Sequence, residues 1–379
     1  MTELVLENAR IVTPEGVVHG RLVVQDGIIH EIAADGASVG TGLDLEGDWL
    51  WPGLVEVHTD NLERQVQPRP KVRWPADAAL LAHDAQVTAA GITTVCDAIC
   101  VGFYGGKRER LEFLELSLEA LEQARAAAML RADHLVHLRC EVSDPHVVDI
   151  FEEHVEEPNI RVVSLMDHTP GQRQWHDLER YRTFHRGRTE STDAEFEALV
   201  ERRIEEQTRY ADAHRKAIVD LVRDRTVVLA SHDDTTVAHV EQAKAEGCLI
   251  SEFPTTLEAA AAARAHGMAI VMGAPNVILG GSHSGNVAAH QLAAAGLLDG
   301  LSSDYVPVSL VHAAFRLADD LRWPLERAVD LVAGAPARML GLDDRGALVA
   351  GLRADMVRIR RKDTVPAVLA VWRHGRRVG

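Results

Sequence analysis

Histidine and carboxylate side chains directly follow apolar segments in this sequence. The stretch "GLVEVHTDNLERQVQPRP", residues 53–70, carries His58 and Asp60 two positions apart. On a strand, residues two apart point to the same side. An imidazole and a carboxylate directed at one point can form half of a metal site. For this pair alone, the alternative of a core histidine beside a turn aspartate stays open.

Histidine with a carboxylate, or a carboxylate alone, also ends later apolar segments: "LRCEV", "LMDHTPGQRQ", "LASHDD", "SEFP" and "SSDY". Histidine and carboxylate together favour a hard or borderline divalent ion, since no suitable cysteines accompany them. We expect one or two divalent metal ions, zinc first, with manganese, iron or magnesium as alternatives. The predicted ligands are His58, Asp60, Glu141, His168, His232 and Asp304.

Repeated strand and helix patterns must position these residues. Helical periodicity fills most gaps between eight apolar strand candidates, at 54–59, 91–97, 134–142, 160–167, 226–232, 247–252, 268–273 and 299–303. Repeated βα units imply a parallel sheet, and eight of them predict an α/β fold with a (β/α)8 TIM-like barrel. In such a barrel, chemistry sits at the C-terminal ends of the strands. An open doubly wound sheet is the alternative.

The two ends of the chain have a different texture from the middle. Residues 1–52 and 345–379 read as short strands and turns. We predict that they form one small β-sandwich domain, with the barrel occupying residues 53–344. Residues 171–225 are long, charged and mostly helical in pattern. This segment predicts extra helices over one face of the barrel, as a lid or a subunit contact.

Composition restricts the function classes. A net charge of −17 disfavours nonspecific binding to nucleic acid or anionic membranes. An anionic small substrate remains compatible, because metal ions and a few arginines can reverse the local potential. The sequence shows neither a signal peptide nor an uncharged run of the ~18 residues needed to span a bilayer. Four scattered cysteines do not suggest a disulfide framework. We therefore expect a cytoplasmic protein.

Basic and glycine-rich loops indicate a phosphorylated substrate. The loop "NVILGGSHSGN" could bind oxyanions through its backbone N–H groups, although it also reads as an ordinary turn. Arg69, Lys107 and Arg173 each follow a predicted strand end. Arginine suits bidentate phosphate contacts, whereas lysine acts as a point charge. Each of the three could instead be a surface charge.

The predicted architecture and the ending "GALVAGLRADMV" resemble the amidohydrolase superfamily. The stretches "PGLVEVHTDNLERQVQPRP", "AHDAQVTAAGITTVCDA", "LMDHTPGQRQ", "SEFPTT", "GAPNVILGGSHSGN" and "SSDYVP" resemble one branch of it, the PhnM-type diphosphatases. This resemblance covers nearly the whole chain. It implies a metal-dependent hydrolase that cleaves α-D-ribose 1-methylphosphonate 5-triphosphate to the 5-phosphate and pyrophosphate during phosphonate catabolism.

The resemblance also implies roles for single residues. The six predicted ligands match the ligand positions of the superfamily, with Asp60 in place of its usual second histidine. Asp304 is then the catalytic group that takes the proton of the attacking water. His283 and Asn286 would orient the ribose or a phosphate. Leu279 departs from the arginine that the branch implies near this position, so a related phosphorylated substrate remains compatible.

Two other functions fit the same residues. The superfamily most often hydrolyses C–N bonds of amides or cyclic amides, and this is the alternative reaction. A non-catalytic barrel is the third interpretation, against which every predicted ligand position keeps a side chain that can bind metal. The resemblance further implies a homo-oligomer, without indicating an interface.

Overall fold

A computed structural model describes residues 3–34, 42–69, 72–102, 108–175, 177–186, 192–282 and 285–379 of the chain. The strands are β1 (Glu3–Thr13), β2 (Gly16–Gln25), β3 (Ile28–Ala34), β4 (Leu43–Asp44), β5 (Trp49–Pro52), β6 (Leu54–Thr59), β7 (Ile92–Val101), β8 (Asp133–Glu141), β9 (Ile160–Met166), β10 (Val228–His232), β11 (Ile250–Glu252), β12 (Ala269–Gly273), β13 (Gly300–Ser302), β14 (Met356–Lys362), β15 (Val365–Arg373) and β16 (Arg376–Arg377). The α-helices are α1 (Asn61–Val66), α2 (Ala76–Ala89), α3 (Arg108–Ala126), α4 (Val147–His154), α5 (Leu178–Arg186), α6 (Asp193–Val222), α7 (Val237–Ala245), α8 (Leu257–Ala265), α9 (Ala274–Leu279), α10 (Ala289–Ala294), α11 (Ser309–Leu321), α12 (Leu325–Asp330) and α13 (Gly334–Met339).

Strands β6 to β13 form one parallel sheet in which each strand lies beside the next in sequence. Every residue of β6 is buried, as expected for a strand covered on both faces. The sequential order excludes a doubly wound sheet, whose strand order reverses. All eight predicted strands are confirmed, although β9 to β13 are each shorter than predicted and β7 ends later, at Val101.

The first and last barrel strands meet through a few contacts that leave the barrel nearly closed. The Asp60 N–H donates to the Asp304 carbonyl at 2.8 Å, and the Asp304 N–H donates to the His58 carbonyl at 3.2 Å. The Thr59 hydroxyl also donates to the Asp304 carbonyl, at 2.7 Å. These contacts hold two predicted ligand segments side by side.

Threonine caps start two barrel helices directly after the strand ends. The Thr236 hydroxyl accepts the His239 N–H at the start of α7, and the Thr256 hydroxyl accepts the Ala259 N–H at the start of α8. Such caps satisfy N–H groups that the first helical turn leaves unpaired. The short connections fix where the side chains at the ends of β10 and β11 point.

A second, mixed sheet joins the two ends of the chain. Its order is β16-β15-β14-β5-β1-β2-β3, with β4 beside β1. Strand β14 pairs antiparallel with β5, placing Val357 opposite Trp51. Asp48 accepts hydrogen bonds from Arg358 and Arg360 beside this pairing. The pairing confirms that both ends share one sheet, while the sandwich arrangement and the boundaries 1–52 with 345–379 and 53–344 stay predictions.

The segment 171–225 contains the predicted extra helices, α5 and α6. Thr192 and Glu195 form a capping box at the start of α6. Gln207 donates to the Asp167 carboxylate at 3.4 Å, and the His214 ring donates to the Val142 carbonyl at 3.0 Å. Helix α6 therefore packs over the ends of β8 and β9. A lid or subunit role stays a prediction.

Within the described ranges, no helix combines the length and apolarity that crossing a bilayer requires.

Candidate active site

Five of the six predicted metal ligands meet at the C-terminal end of the barrel. His58, Asp60 and Asp304 form one group of donor atoms, all within 4.8 Å of one another. His168 and His232 belong to a second group of the same compactness. Since these residues come from strand ends far apart in sequence, the closing of the barrel creates the site.

Glu252 lies beneath both groups and is almost completely buried. Its two carboxylate oxygens face Nδ1 of His58 at 3.1 Å and Nδ1 of His232 at 3.2 Å. Burial acts to raise the pKa of Glu252, but His137, His58 and His232 outweigh burial and hold that pKa well below its usual range. An ionised Glu252 can accept Nδ1–H from both imidazoles. Their Nε2 atoms are then left free to bind a metal.

Glu141, the sixth predicted ligand, lies behind His168. Its Oε2 is 2.7 Å from Nδ1 of His168, and its Oε1 accepts the His168 N–H at 3.0 Å. The Ser143 hydroxyl donates to the same Oε1 at 3.1 Å. These bonds orient His168, and Glu141 belongs to none of the donor groups found among the described residues. Its role as a ligand stays a prediction.

Asp233 completes the second donor group. Its Oδ2 lies 3.7 Å from Nε2 of His168 and 3.5 Å from Nε2 of His232. Asp233 directly follows β10 in "LASHDD" and is not one of the six predicted ligands. The adjacent Asp in "HDD" gave no sign of which carboxylate would face the cavity.

Three strand-end residues have left-handed backbone conformations that non-glycine residues rarely adopt. Asp233 has φ 55°, Phe253 has φ 54° and Asp304 has φ 54°. Each such residue costs about 1–3 kcal/mol and persists only where the surroundings enforce it. The Phe253 ring packs edge-on against His58 and His232, at centroid distances of 5.1 and 5.3 Å. Three of the eleven non-glycine residues with positive φ in the described ranges therefore border the proposed ligands.

Asp60 is shared between the metal cluster and a buried arginine. Its Oδ1 accepts a hydrogen bond from Nη1 of Arg139 at 2.6 Å and lies 3.7 Å from Nε2 of His58. Burial acts to raise the pKa of Asp60, yet the charges of Arg139 and His58 hold that pKa below its usual value. Asp304, opposite, has a raised pKa because burial and the Asp60 charge disfavour its ionised form. Arg139 thus stabilises one of two neighbouring carboxylates.

Glu56 joins the first and last barrel strands behind this pair. Its Oε1 accepts the His58 N–H at 2.8 Å, and its Oε2 accepts the Ser303 N–H at 2.6 Å. Burial raises the pKa of Glu56 to about 7, against the lowering effect of the hydrogen bonds from Ser303 and His58. The carboxylate bridges two strands that share few ladder bonds, so it sets the spacing between His58 and Asp304.

The donor set fits a divalent metal. Two ligands of one tetrahedral zinc ion lie about 3.4 Å apart, given bonds of roughly 2.0–2.1 Å. The three Nε2–carboxylate separations in the cluster are 3.5, 3.7 and 3.7 Å. Carboxylates behind the imidazoles supply the supporting hydrogen bonds that metal-binding histidines usually have. The buried Oδ2 of Asp233 has no hydrogen-bond partner within the described ranges, as expected of an atom placed for a cation.

A cavity of about 1300 Å³ opens above the cluster. Helix α6 contributes one of its walls, through residues that include Leu199. Six arginines line the cavity, together with the five carboxylates of Asp60, Glu63, Glu141, Asp233 and Asp304. The arginines are Arg64, Arg69, Arg110, Arg139, Arg202 and Arg203. In a chain of net charge −17, this lining is nearly balanced, and a bound divalent ion would make it positive.

The five predicted substrate-binding residues have different outcomes. Arg69 and Asn286 both line the cavity. Arg173 is only 4% exposed and does not belong to the described lining. Its Nη1 donates to the Asp234 carboxylate at 2.5 Å and to the His232 carbonyl at 3.0 Å, which directs the guanidinium inward instead of toward a phosphate. Lys107 and His283 lie outside the described residues.

The first part of the glycine-rich loop "NVILGGSHSGN" does not have the N–H groups free for oxyanions as predicted. The N–H groups of Gly280 and Gly281 both donate to the Asn276 carbonyl at 3.1 Å, where they end α9. Gly280 has φ 79°, a conformation that glycine adopts at helix C-termini. Two of the expected donors are therefore used inside the loop. Leu279 lines the cavity and is 71% exposed.

A second cluster of titratable groups is buried beside the barrel. The Asp97 carboxylate lies 2.6 Å from Nε2 of His83 and 2.7 Å from Nδ1 of His134. Nε2 of His134 faces Asp84 at 3.3 Å, and Asn61 contacts Nδ1 of His83 at 2.9 Å. Burial acts to lower the pKa of His134, but Asp97 and Asp84 raise that pKa to about 9. Every donor in this cluster already has a partner, so we interpret it as structural.

Comparison with known proteins identifies the family. The alpha-D-ribose 1-methylphosphonate 5-triphosphate diphosphatase of Escherichia coli strain K12 is 47% identical over 377 residues, which cover 99% of this chain and 100% of that protein. The chain belongs to this diphosphatase family. The family resemblance predicted from the sequence is thereby confirmed. No family model matches the chain.

Several solved structures share the fold of this chain. A 5-methylcytosine deaminase from Klebsiella pneumoniae has a TM-score of 0.65 at 17% identity, covering 99% of this chain and 97% of its own. An N-acetyl-D-glucosamine-6-phosphate deacetylase from Mycobacterium smegmatis has a TM-score of 0.62 at 17% identity, covering 100% of both chains. At such identities, the likeness establishes the amidohydrolase fold alone.

Proposed function

We propose that the chain is a metal-dependent hydrolase that cleaves α-D-ribose 1-methylphosphonate 5-triphosphate to the 5-phosphate and pyrophosphate. The 47% identity to the Escherichia coli diphosphatase over almost the whole of both chains supports this reaction. In the reaction, water adds across the phosphoanhydride bond between the α- and β-phosphates, and pyrophosphate leaves. Phosphonate catabolism is the corresponding metabolic role.

The arginine lining of the cavity is the observation that carries the proposal. Six arginines line a cavity whose floor holds the metal-binding cluster, and one of them, Arg139, is already paired with Asp60. Arginine forms bidentate hydrogen bonds with phosphate oxygens, and an uncharged amide would not require such a lining. A substrate with a triphosphate at one end and a methylphosphonate at the other presents anionic groups that these side chains can bind.

The predicted ligands would hold one or two divalent ions, with zinc first and manganese, iron or magnesium as alternatives. When bound, such an ion lowers the pKa of a water molecule and neutralises phosphate oxygens. Asp304 is the catalytic residue, because its half-buried carboxylate faces the cavity beside the cluster. It accepts the proton of the attacking water and can return it to the leaving pyrophosphate.

Cavity residues would bind and orient the substrate. Arg69 and Asn286 contact it in this proposal, and Lys107 and His283 retain the roles predicted from the sequence. We do not extend such a contact to Arg173, since its guanidinium supports the loop after β10. Leu279 leaves an apolar side chain where the family resemblance implied arginine, so the substrate contacts on that side are reduced.

Phosphorus NMR of the metal-replete protein with the ribose triphosphate tests the reaction. We expect pyrophosphate and the 5-phosphate in equal amounts, and at least 100-fold slower turnover by Asp304→Asn. Hydrolysis in ¹⁸O-labelled water shows which phosphorus is attacked, since the label enters only that product. Metal-loaded protein that leaves the triphosphate intact would overturn the proposal.

The alternative reaction is hydrolysis of a C–N bond, the reaction that the superfamily most often catalyses. A panel that compares ribose triphosphates with cyclic amides separates the two reactions. Turnover of a cyclic amide without pyrophosphate release would favour the alternative. We also propose that the protein is cytoplasmic and that it forms a homo-oligomer. Light scattering of the purified protein measures its molar mass and so tests the second point.

A further inference from the structure

We propose that Asp233 is a metal ligand, which together with His168 and His232 forms a three-ligand position at the cavity floor. This inference rests on the proposed function only for its metal dependence. It adds a residue to the predicted ligand set and gives Glu141 and Glu252 the task of orienting the two imidazoles from behind.

The burial of Asp233 is the first argument. The residue is 4% exposed, and its Oδ2 has no hydrogen-bond partner in the part of the chain that the structure describes. An isolated buried carboxylate oxygen is costly, so native proteins pair such atoms or use them to bind cations. Two imidazole nitrogens, both of predicted metal ligands, lie close to this oxygen.

The separations provide the second argument. Oδ2 of Asp233 lies 3.5 Å from Nε2 of His232 and 3.7 Å from Nε2 of His168. These distances exceed the roughly 2.7–2.9 Å of a charge-assisted hydrogen bond. They approach the roughly 3.4 Å between two ligands of one tetrahedral ion. Both separations therefore fit a shared metal ion and are longer than a charge-assisted hydrogen bond.

Carboxylates at the Nδ1 atoms of His168 and His232 explain why the Nε2 atoms are available to a metal ion. Nδ1 of His168 lies 2.7 Å from Glu141, and Nδ1 of His232 lies 3.2 Å from Glu252. A carboxylate acceptor at Nδ1 places the ring proton there and leaves the Nε2 lone pair directed at Asp233. Arrangements of this type orient histidine ligands and increase their basicity.

The backbone holds Asp233 in a conformation that aspartate rarely adopts. At φ 55°, the residue is fixed by its N–H, which donates to the Glu252 carbonyl at 2.9 Å. Its own carbonyl accepts the Thr235 hydroxyl at 3.2 Å. The next residue, Asp234, is bound by Arg173 and by the Ser231 hydroxyl, both at 2.5 Å. Such enforced conformations concentrate at functional sites.

The two donor groups should differ in affinity. In the group of His58, Asp60 and Asp304, the Asp60 carboxylate also accepts a hydrogen bond from Arg139 at 2.6 Å. A cation already bound to one ligand reduces the attraction that the group offers to a metal ion. Asp233 has no competing cation among the contacts described for it. We therefore infer that the position of His168, His232 and Asp233 is the tighter one.

Calorimetric titration of chelator-treated protein with zinc tests the assignment through binding, independently of turnover. Asp233→Asn keeps the side-chain shape but removes the charge. We expect its tighter site to weaken by ~100-fold or more, beyond the 10–100-fold loss typical of supporting residues. Asp167→Asn is the matched control, because Asp167 is also buried directly after a barrel strand and belongs to none of the donor groups found in the described ranges.

Cobalt substitution and thermal unfolding provide two further readouts. The visible absorption of bound cobalt should change in intensity with Asp233→Asn and stay unchanged with Asp167→Asn. Without metal, Asp233→Asn should unfold at the same temperature as the wild type or above it, because a buried unpaired charge is removed. Added zinc should then raise its unfolding temperature less than it raises that of the wild type.

Wild-type affinity and an unchanged cobalt spectrum in Asp233→Asn would overturn the assignment. Should Asp233→Asn fail to fold, Asp233→Glu decides, since a retained carboxylate on a longer arm should fold and bind zinc with reduced affinity. Wild-type protein that binds zinc without releasing pyrophosphate would end the proposed function and leave the ligand test intact. Wild-type protein that binds no zinc would overturn both.

Discussion

The buried imidazole of His134 offers a quantitative prediction about stability. It lies between the carboxylates of Asp97 and Asp84, at 2.7 and 3.3 Å from their oxygens. The two carboxylates outweigh the effect of burial and raise its pKa from 6.5 to about 9. His134 is therefore charged in the folded state at pH values where it would be neutral in the unfolded chain.

This difference links the free energy of unfolding to pH. Because the folded pKa is the higher one, the stabilisation is complete below pH 6.5 and is lost as the pH rises through about 9. Each pKa unit corresponds to about 1.4 kcal/mol, so the full contribution is about 3 kcal/mol. With an unfolding entropy of about 2.1 cal/mol/K per residue, this corresponds to about 4 °C in unfolding temperature for a chain of this size.

Thermal unfolding of chelator-treated protein at pH 6 and pH 9.5 measures the effect in wild type and in His134→Gln. We expect the wild type to exceed the variant by about 4 °C more at pH 6 than at pH 9.5, since glutamine does not titrate. His266→Gln, at an exposed position, should keep the wild-type pH dependence. An equal pH dependence in wild type and His134→Gln would refute the reasoning.

Three further substitutions test the site. Glu56→Gln should lower both the unfolding temperature and kcat. An amide can accept only one of the two N–H groups that the carboxylate binds, and the lost hydrogen bond costs about 1–3 kcal/mol. Wild-type values of both quantities would show that Glu56 does not hold the two strands together. Arg202→Ala should raise KM for the ribose triphosphate about tenfold with little change in kcat, which is equivalent to about 1.4 kcal/mol of binding free energy. Arg209→Ala on the same helix is the control and should leave KM unchanged. Arg139→Gln should free Asp60 and tighten zinc binding at its group, and weaker zinc binding in calorimetry would show that Arg139 supports that position instead.

The barrel could be predicted from sequence because its signal is local and repeated. Each strand is a short apolar run followed by polar residues, and β6 is buried at every position. Strand-end chemistry follows from that pattern, which is how His58, Asp60 and Asp304 were found. The pattern determines the length of each strand less well, because the residues at the end of a loop can be as hydrophobic as the first residues of the strand that follows.

The direction of individual side chains could not be predicted. Asp233 and Asp234 are adjacent, and only the left-handed backbone of Asp233 decides which carboxylate faces the cavity. Arg173 follows a strand end, as a phosphate ligand would, but its partner is Asp234, 61 positions later. Arg139 precedes a predicted ligand by two residues and was read as part of a strand. These contacts depend on tertiary structure that spacing alone does not encode.

The sheet shared by both ends of the chain has a consequence for biosynthesis. Strand β5 pairs with β14, and the neighbouring Asp48 accepts a hydrogen bond from Arg358, which lies 310 positions later in the chain. At ~5–20 residues per second, a ribosome takes about 15–60 seconds to make that interval. During this time, the nascent chain carries an unpaired strand edge, which is a site for aggregation. Chaperones that bind extended segments should therefore associate with this protein during translation and leave once β14 has emerged.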